Sequence, residues 1–342
     1  MTCETAPFLE GRGPYWPDAC AASGRACPPP CTGEDRIRLQ RRWADTPVVC
    51  RCHPHPARVG AALRDPETYL ATERDRRLAD ELARIAPRSR QAVADSDTFT
   101  TRVIRHALAD GITQFLDLGS GHIATSAAHA AVVEHPAATI VHVDHDPHVD
   151  EHNLGELTED PILMTRPRTL IHANAFAIGP MLTSLHRSGT LDRSRRLCVL
   201  LVDLLYYLDP ANDPRSVIRR LVTRLPPGSW IAVNHLINRA PSTLDNQVAR
   251  ATLRRDTDRW CRAMTRCVPP HPQAGSRTEF ARRIADLDLL PPGITPTGAW
   301  PGPDTIRLPQ APYTLAAVGR VPGRTEPGLN RPDTVTTTGD PS

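Results

Sequence analysis

Phe115-Leu116-Asp117-Leu118-Gly119-Ser120-Gly121 carries a short apolar run straight into two glycines, and an Ala-rich segment, Thr125 to Glu134, follows. A strand that stops at a glycine turn and restarts as a helix is the opening unit of an open α/β sheet. Working outward, the same alternation recurs. Thr139 to Asp144 is a β-branched strand ending in acid, and Thr169 to Asn174 is a third candidate strand. Leu197 to Asp203 is almost wholly apolar, as a strand covered on both faces must be. Val217 to Leu225 reads as a helix stopped by Pro226-Pro227-Gly228; Trp230 to Asn234 is a further strand, and Tyr313 to Val318 closes the set. The pattern predicts an α/β fold: a mostly parallel, seven-stranded sheet with helices on both faces.

Upstream, apolar positions at Tyr69, Leu70, Leu78, Leu82 and Ile85 predict a helix between Pro66 and Ile85. Phe99, Val103, Ile104 and Leu108 predict a second helix over Asp95 to Ala109, capped by Asp95 or Ser96 and ended by Gly111. The expected organisation is a Pro- and Cys-rich tail over 1–55, a helical extension or lid over 56–110, a catalytic-type domain over 111–320 and a disordered tail over 321–342. Of nine cysteines, six lie at or before Cys52. Their spacing lacks paired Cys-x-x-Cys knuckles, so no metal is expected. The 342 residues contain no lysine, which rules out Schiff-base chemistry and the lysine of a phosphate-binding P-loop. A net charge of +3 and an aromatic content of 4% give no basis for nucleic-acid binding. No apolar run is long enough to span a membrane, and Met1 to Gly11 lacks a secretory pattern, so a cytoplasmic location is expected.

Chemistry concentrates at the predicted strand ends. Gly119, Ser120 and Gly121 form a turn that lets backbone approach a ligand closely. With Ala124 they also fit the relaxed dinucleotide pattern. Asp117, two residues before the first glycine, favours S-adenosylmethionine instead, because such sites place an acid near the cofactor's methionine end. Asp144, at the end of the second strand, is positioned to accept hydrogen bonds from ribose hydroxyls, with His145 beside the adenine. Asp146-Pro147 is either part of this site or a helix cap. Asn174 and Ala175 are candidates for the adenine contact, although Asn174 also suits a plain turn. Asp203 and Tyr206, after the fourth strand, are candidates for the substrate crevice, as is His235; a helix cap and a structural histidine are the competing readings for Asp203 and His235. His142, His145 and His148 are spaced by three, which on a strand leading into a loop does not bring them to one metal.

Taken in order, these motifs resemble the bacterial S-adenosyl methyltransferase family, long described as a domain of unknown function. The resemblance rests on Gly111 to Gly121, Val141 to Pro147, Pro227-Gly228-Ser229-Trp230 with Asn234-His235, Ser276-Arg277-Thr278-Glu279, Pro292-Gly293 with Trp300, and Ala317 to Arg320. It implies a class I methyltransferase (Rossmann-like) fold, S-adenosyl-L-methionine bound through Asp117, Gly119, Gly121 and Asp144, and an unidentified methyl acceptor, expected to be a small molecule. The chain also departs from the family. Ala57-Arg58-Val59 is kept, but Gly60 to Glu67 replaces the family's following Tyr-Asp-Tyr and Gly-Gly-Lys-Asp-Asn-Phe elements. His129 persists after the glycines, while Ile123 and Ala127 stand where relatives carry Pro and Asn, and Asn174 replaces an Asp. These losses leave open an alternative in which the fold serves as a non-catalytic binding or regulatory module.

Overall fold

The computed structural model describes residues 53–146, 148–149, 152–153, 168–208, 213–239, 247–267, 270–302 and 313–323. The expected cysteine-rich tail up to residue 52, Pro147 and residues 324–342 lie outside them. Three helices come first: α1 (Pro56–Arg64), α2 (Glu73–Ile85) and α3 (Ser89–Ala109). The alternating part follows as β1 (Gln114–Leu118), α4 (Ala127–Val133), β2 (Thr139–Asp144), β3 (Arg168–His172), α5 (Ile178–Arg187), β4 (Cys198–Leu201), α6 (Pro214–Arg224) and β5 (Trp230–Arg239). The last part comprises α7 (Gln247–Met264), β6 (Gly275–Ser276), α8 (Arg277–Arg283), β7 (Asp288–Leu289), β8 (Thr295–Pro296) and β9 (Thr314–Arg320).

Among the described residues, nine strands form one sheet rather than the expected seven. Seven lie in the order β3-β2-β1-β4-β5-β9-β7, and the two-residue strands β6 and β8 pair off that path with β5 and β9. Strands β1 to β5 are mutually parallel, and β9 runs antiparallel to β5. The order reverses direction at β1, between β2 and β4, which opens a crevice at the carboxyl ends of these strands.

Period-two alternation sorts the sheet's side chains onto two faces. Leu116, Leu118, Val141, Val143, Val199, Leu201, Ile231 and Val233 pack with Met181, Ile218 and Phe280 of α5, α6 and α8. Phe115, Ile140, Cys198, Leu200, Trp230 and Ala232 pack with Phe99, Val103 and Ile104 of α3 and Ala128 and Val132 of α4. Helices therefore cover both faces, as the sequence pattern required. Two helix starts differ from expectation: α2 begins at Glu73 rather than Pro66, leaving Tyr69 exposed before it, and α3 begins at Ser89, six residues before Asp95, with no side-chain cap at its start. Ser96, expected as a cap, is instead buried within the helix and accepts a hydrogen bond from Asn234 Nδ2 at 3.1 Å. Among the described residues, no helix is long and apolar enough to cross a membrane.

A third apolar cluster joins α1, α2 and α7 through Val59, Leu63, Leu78, Leu82 and Met264. What ties this cap to the sheet is ionic. Arg58 is 1% exposed, and its Nε donates to Asp75 Oδ2 at 2.9 Å while Nη1 lies 3.5 Å from Asp146 Oδ2. Asp75 also closes the capping box of α2 with Thr72, and its other oxygen accepts the His55 backbone N–H at 3.0 Å. His55 caps α1, and its Nδ1 lies 3.3 Å from Asp146 Oδ2. Although burial opposes it, the charges of His55 and Arg58 and the hydrogen bond from His148 hold the Asp146 carboxyl well below the usual range.

Truncating Arg58 would strand two buried carboxylates. Arg58→Ala is expected to destabilise the fold by about 3–5 kcal/mol, read from urea unfolding; a loss within experimental scatter would show that the cap is not held by this ion cluster.

Burial also pushes His55, His122 and His235 down to about 4 from 6.5, with Arg283 adding to the effect at His235. Between those values the unfolded chain binds protons that the folded chain excludes, so stability rises with pH across the window and is lost as pH falls through it. Urea midpoints should therefore drop steadily from about pH 7 to about pH 5. A flat profile would mean that these rings are not held neutral by the fold.

Candidate functional site

The glycine turn after β1 is tied to the end of β2 by its own backbone. Gly119 and Gly121 adopt φ of +70° and +61°, a region in which glycine carries no penalty. A side chain at Gly119 would also come within 2.8 Å of Leu204 Cδ1. In this conformation the N–H groups of Gly119 and Ser120 both donate to Val143 O, at 2.8 and 3.1 Å. Gly121 N–H donates to Asp144 Oδ2 at 2.9 Å, and Asp144 Oδ1 accepts from the backbone of His145 and Asp146. Asn153 fastens the turn from the other side: its Nδ2 donates to Gly121 O and its Oδ1 accepts from Ile123 N, each at 2.9 Å. The sequence reading missed Asn153, since a lone Asn downstream of a strand carries no spacing signal.

The turn opens onto a cavity of about 230 Å³ at the carboxyl ends of β1, β2 and β4. Asp117, Gly119, Ser120, Gly121, Asp144, His145, Asn174, Ala175, Asp203 and Tyr206 all line it, so ten of the eleven residues singled out from sequence converge on one space. The eleventh, His235, lies off it. Its Nδ1 contacts Leu236 O at 2.6 Å, Arg283 sits against Nε2, and its ring packs 5.6 Å from that of Phe280. It is a buried structural histidine, displaced from the crevice because β5 continues to Arg239 and carries the position into the core.

Asp117 and His142 are register partners in the β1–β2 ladder. His142 Nδ1 lies 3.2 Å from Asp117 Oδ2, and its Nε2 lies 3.1 Å from His129 Nδ1 on α4, giving a buried Asp–His–His chain beneath the turn. His142, His145 and His148 therefore do not converge. Among the described residues there is no cluster of His, Cys, Asp and Glu able to hold a metal.

Asn174 Oδ1 accepts from Phe176 N at 2.9 Å, so the residue forms a turn and lines the cavity at once. Ser120 Oγ and both ring nitrogens of His122 are buried against this space with no hydrogen-bond partner among the described residues. Buried polar atoms of that kind are what a polar ligand satisfies. At the glycine-turn end the cavity thus presents two carboxylates, Asp117 and Asp144, the side-chain amide of Asn174 and buried polar atoms without partners among the described residues.

On the far side of the cavity, Asp203 adopts φ of +54°. It does not cap the short 3₁₀ turn that follows, Leu205–Tyr207, which has no side-chain cap. Asn234 holds it instead, accepting from Asp203 N and donating to Asp203 Oδ1, both at 2.7 Å. Burial raises the Asp203 pKa, opposed by hydrogen bonds from Asn234 and Ser96 and by the Arg64 charge, and assisted by Asp97. Burial and the neighbouring Asp203 raise Tyr206 well above the usual phenol, so its hydroxyl stays protonated. Helix α1 covers the opening, with Ala57, Gly60 and Leu63 in the wall and Arg64 paired to Asp97.

The profile of the family described as S-adenosyl methyltransferase matches residues 48–322. A protein from Thermobifida fusca, provisionally named a methyltransferase, superposes with a TM-score of 0.65 at 25% identity, covering 79% of this chain and 96% of its own. A DUF574-family protein from Streptomyces avermitilis gives a TM-score of 0.64 at 22% identity over 78% of this chain and 97% of its own, a likeness of fold. No curated protein matches the sequence. With four-fifths of its length matched and a class I methyltransferase sheet beneath the match, the chain belongs to the S-adenosyl methyltransferase family and is a methyltransferase enzyme.

Proposed function

We propose that this chain binds S-adenosylmethionine across the carboxyl ends of β1 and β2 and moves its methyl group to a small-molecule acceptor seated against Asp203 and Tyr206. The observation that carries the reading is how the glycine turn uses its N–H groups. All three, at Gly119, Ser120 and Gly121, donate inside the protein to Val143 and Asp144. A dinucleotide's pyrophosphate needs such donors pointing outward at a helix N-terminus. A cofactor without phosphate does not.

In this assignment Asp117, steadied by His142, takes the amino-acid end of the cofactor. Asp144 takes the ribose, and Asn174 with the Ala175 backbone takes the adenine, His145 lying beside it. Bound there, the cofactor supplies a methyl group on a positively charged sulfur. The protein's own contribution is to align the acceptor and exclude water, and it needs a base only where the acceptor must lose a proton. Helix α1 performs the covering although its motif differs from that of the relatives, because Arg58 and His55 anchor it to Asp146, two residues beyond Asp144. That anchorage supports a working enzyme over a module that has lost its lid.

Calorimetric titration with S-adenosylmethionine and S-adenosylhomocysteine, with NAD as control, tests the reading. Micromolar affinity for the first two and none for NAD is expected, and Asp144→Ala should weaken binding by about ten- to a hundredfold through loss of charge-assisted hydrogen bonds. Absence of binding to either sulfur compound would return the chain to the non-catalytic alternative.

A further inference from the structure

The half of the cavity away from the glycine turn has a distinct chemistry. Its wall is apolar and aromatic, built from Leu63, Val93, Tyr206, Tyr207, Trp260 and Met264. Into this wall projects the Asp203 carboxylate, held in a backbone conformation that few non-glycine residues adopt. Three charged groups line this end: Asp97, Asp203 and Arg64. Arg64 grips Asp97 through Nε, which donates to Oδ2 at 2.9 Å and Oδ1 at 3.2 Å, and Nη2, which donates to Oδ1 at 2.8 Å. With the fork engaged in this way, Asp203 has no ion pair of its own among the described residues, although the Arg64 charge acts on it from a distance, and the three groups together carry one net negative charge.

A second, smaller cavity of about 40 Å³ opens from the same wall and shares Leu63, Val93, Asp203, Tyr206 and Trp260 with the first. At its far end the Thr257 hydroxyl is fully buried and has no hydrogen-bond partner among the described residues. A buried hydroxyl without a partner, on the wall of a cavity that the Asp203 carboxylate also lines, marks room for a ligand rather than a packing void.

We infer that the acceptor is an amine with an apolar or aromatic body, bound as its ammonium ion against the Asp203 carboxylate and the faces of Tyr206 and Trp260, so that the enzyme methylates nitrogen. This rests on the methyl-transfer reading of the cavity. An ammonium supplies the charge that this end lacks, and aromatic faces favour it further. A carboxylate acceptor would meet like charge, and an alcohol would leave the negative charge uncompensated in apolar surroundings.

The chemistry balances within these groups. The ammonium gives one proton to the Asp203 carboxylate, whose affinity for it burial has raised. The freed nitrogen lone pair forms a bond to the methyl carbon as that carbon's bond to sulfur breaks, its electron pair leaving with the sulfur. The methylated product carries the positive charge that the sulfur gave up, and Asp203 returns its proton to solvent on product release. Tyr206, held protonated, orients the carboxylate and takes no proton.

Three probes with the same body and different heads test the inference: 2-phenylethylamine, 2-phenylethanol and phenylacetate, titrated calorimetrically into the full chain saturated with S-adenosylhomocysteine. The amine should bind about tenfold or more tighter than the alcohol, with phenylacetate weakest. In Asp203→Asn, which keeps a residue tolerant of the left-handed backbone, the amine should fall to the alcohol's affinity while S-adenosylhomocysteine binding changes less than about threefold. Equal binding of amine and alcohol by the natural chain, or preference for phenylacetate, overturns the inference whatever the variant does. If S-adenosylhomocysteine itself does not bind, the methyl-transfer reading fails separately, and the head-group series on the chain alone still decides whether Asp203 selects an amine.

Discussion

The Arg58 guanidinium lies between Asp75 and Asp146, all three within 1% of full burial. Charges that far from water are tolerated only when paired, and removing one leaves the others at high cost. The cluster therefore acts as a positional constraint more than as a source of net stability. Asp75 belongs to the first turn of α2, Arg58 to α1 and Asp146 to the segment leaving β2. Pairing them fixes where the cap sits relative to the strand that ends in Asp144. A slip of one helical turn in α1, about 5.4 Å, would break every contact in the cluster at once.

That constraint extends to the ligand space through short covalent links. Asp146 follows Asp144 by two residues, and Asp144 accepts the Gly121 N–H; the cap, the acid at the end of β2 and the glycine turn are thus tied together. The turn is fixed again from beneath, because Asp117 leans on His142 and His142 on His129. A ligand received at a turn preorganised in this way costs little ordering entropy, which is what the proposed cofactor site requires.

How much of this could be read in the sequence depended on whether the feature was local. The strand–turn–helix unit at Phe115 to Glu134 was legible because glycine, apolar runs and Ala-rich periodicity act within a few residues, and the site residues at strand ends followed from it. Arg58 with Asp146, and Asn153 with Gly121, join residues 88 and 32 positions apart, and no spacing rule links them. The start of α3 was misplaced for a related reason: Asp95 and Ser96 look like caps, but Ser96 faces the buried Asn234 on β5, a tertiary partner that local propensity cannot anticipate. For His235 the sequence left a crevice role and a structural role open, and the structure places it in the core because β5 runs further than its apolar stretch; two extra strands, β6 and β8, are only two residues long and carry no pattern.

The two ends of the cavity are built by different means, and this bears on what the enzyme can discriminate. At the glycine-turn end, the backbone of β1, β2 and the turn fixes the Asp117 and Asp144 carboxylates in place, through the Gly119 and Ser120 N–H groups on Val143 O and the Gly121 N–H on Asp144. At the acceptor end the wall is side chain, contributed by α1, α3, α7 and the turn after β4. Asp203 there is fixed by Asn234 from the middle of β5, and Asp97 by Arg64. A scaffold so divided holds donor position constant and leaves acceptor shape to Leu63, Val93, Trp260 and Met264, four apolar side chains whose size sets which body fits beside an anchored head group. Selectivity for that body is then limited to what apolar contacts give, about 1–3 kcal/mol per methylene-sized change, whereas selectivity for the head group, resting on a buried charge, is much larger. Discrimination by this enzyme should accordingly be strict at the reacting atom and loose in the remainder of the acceptor.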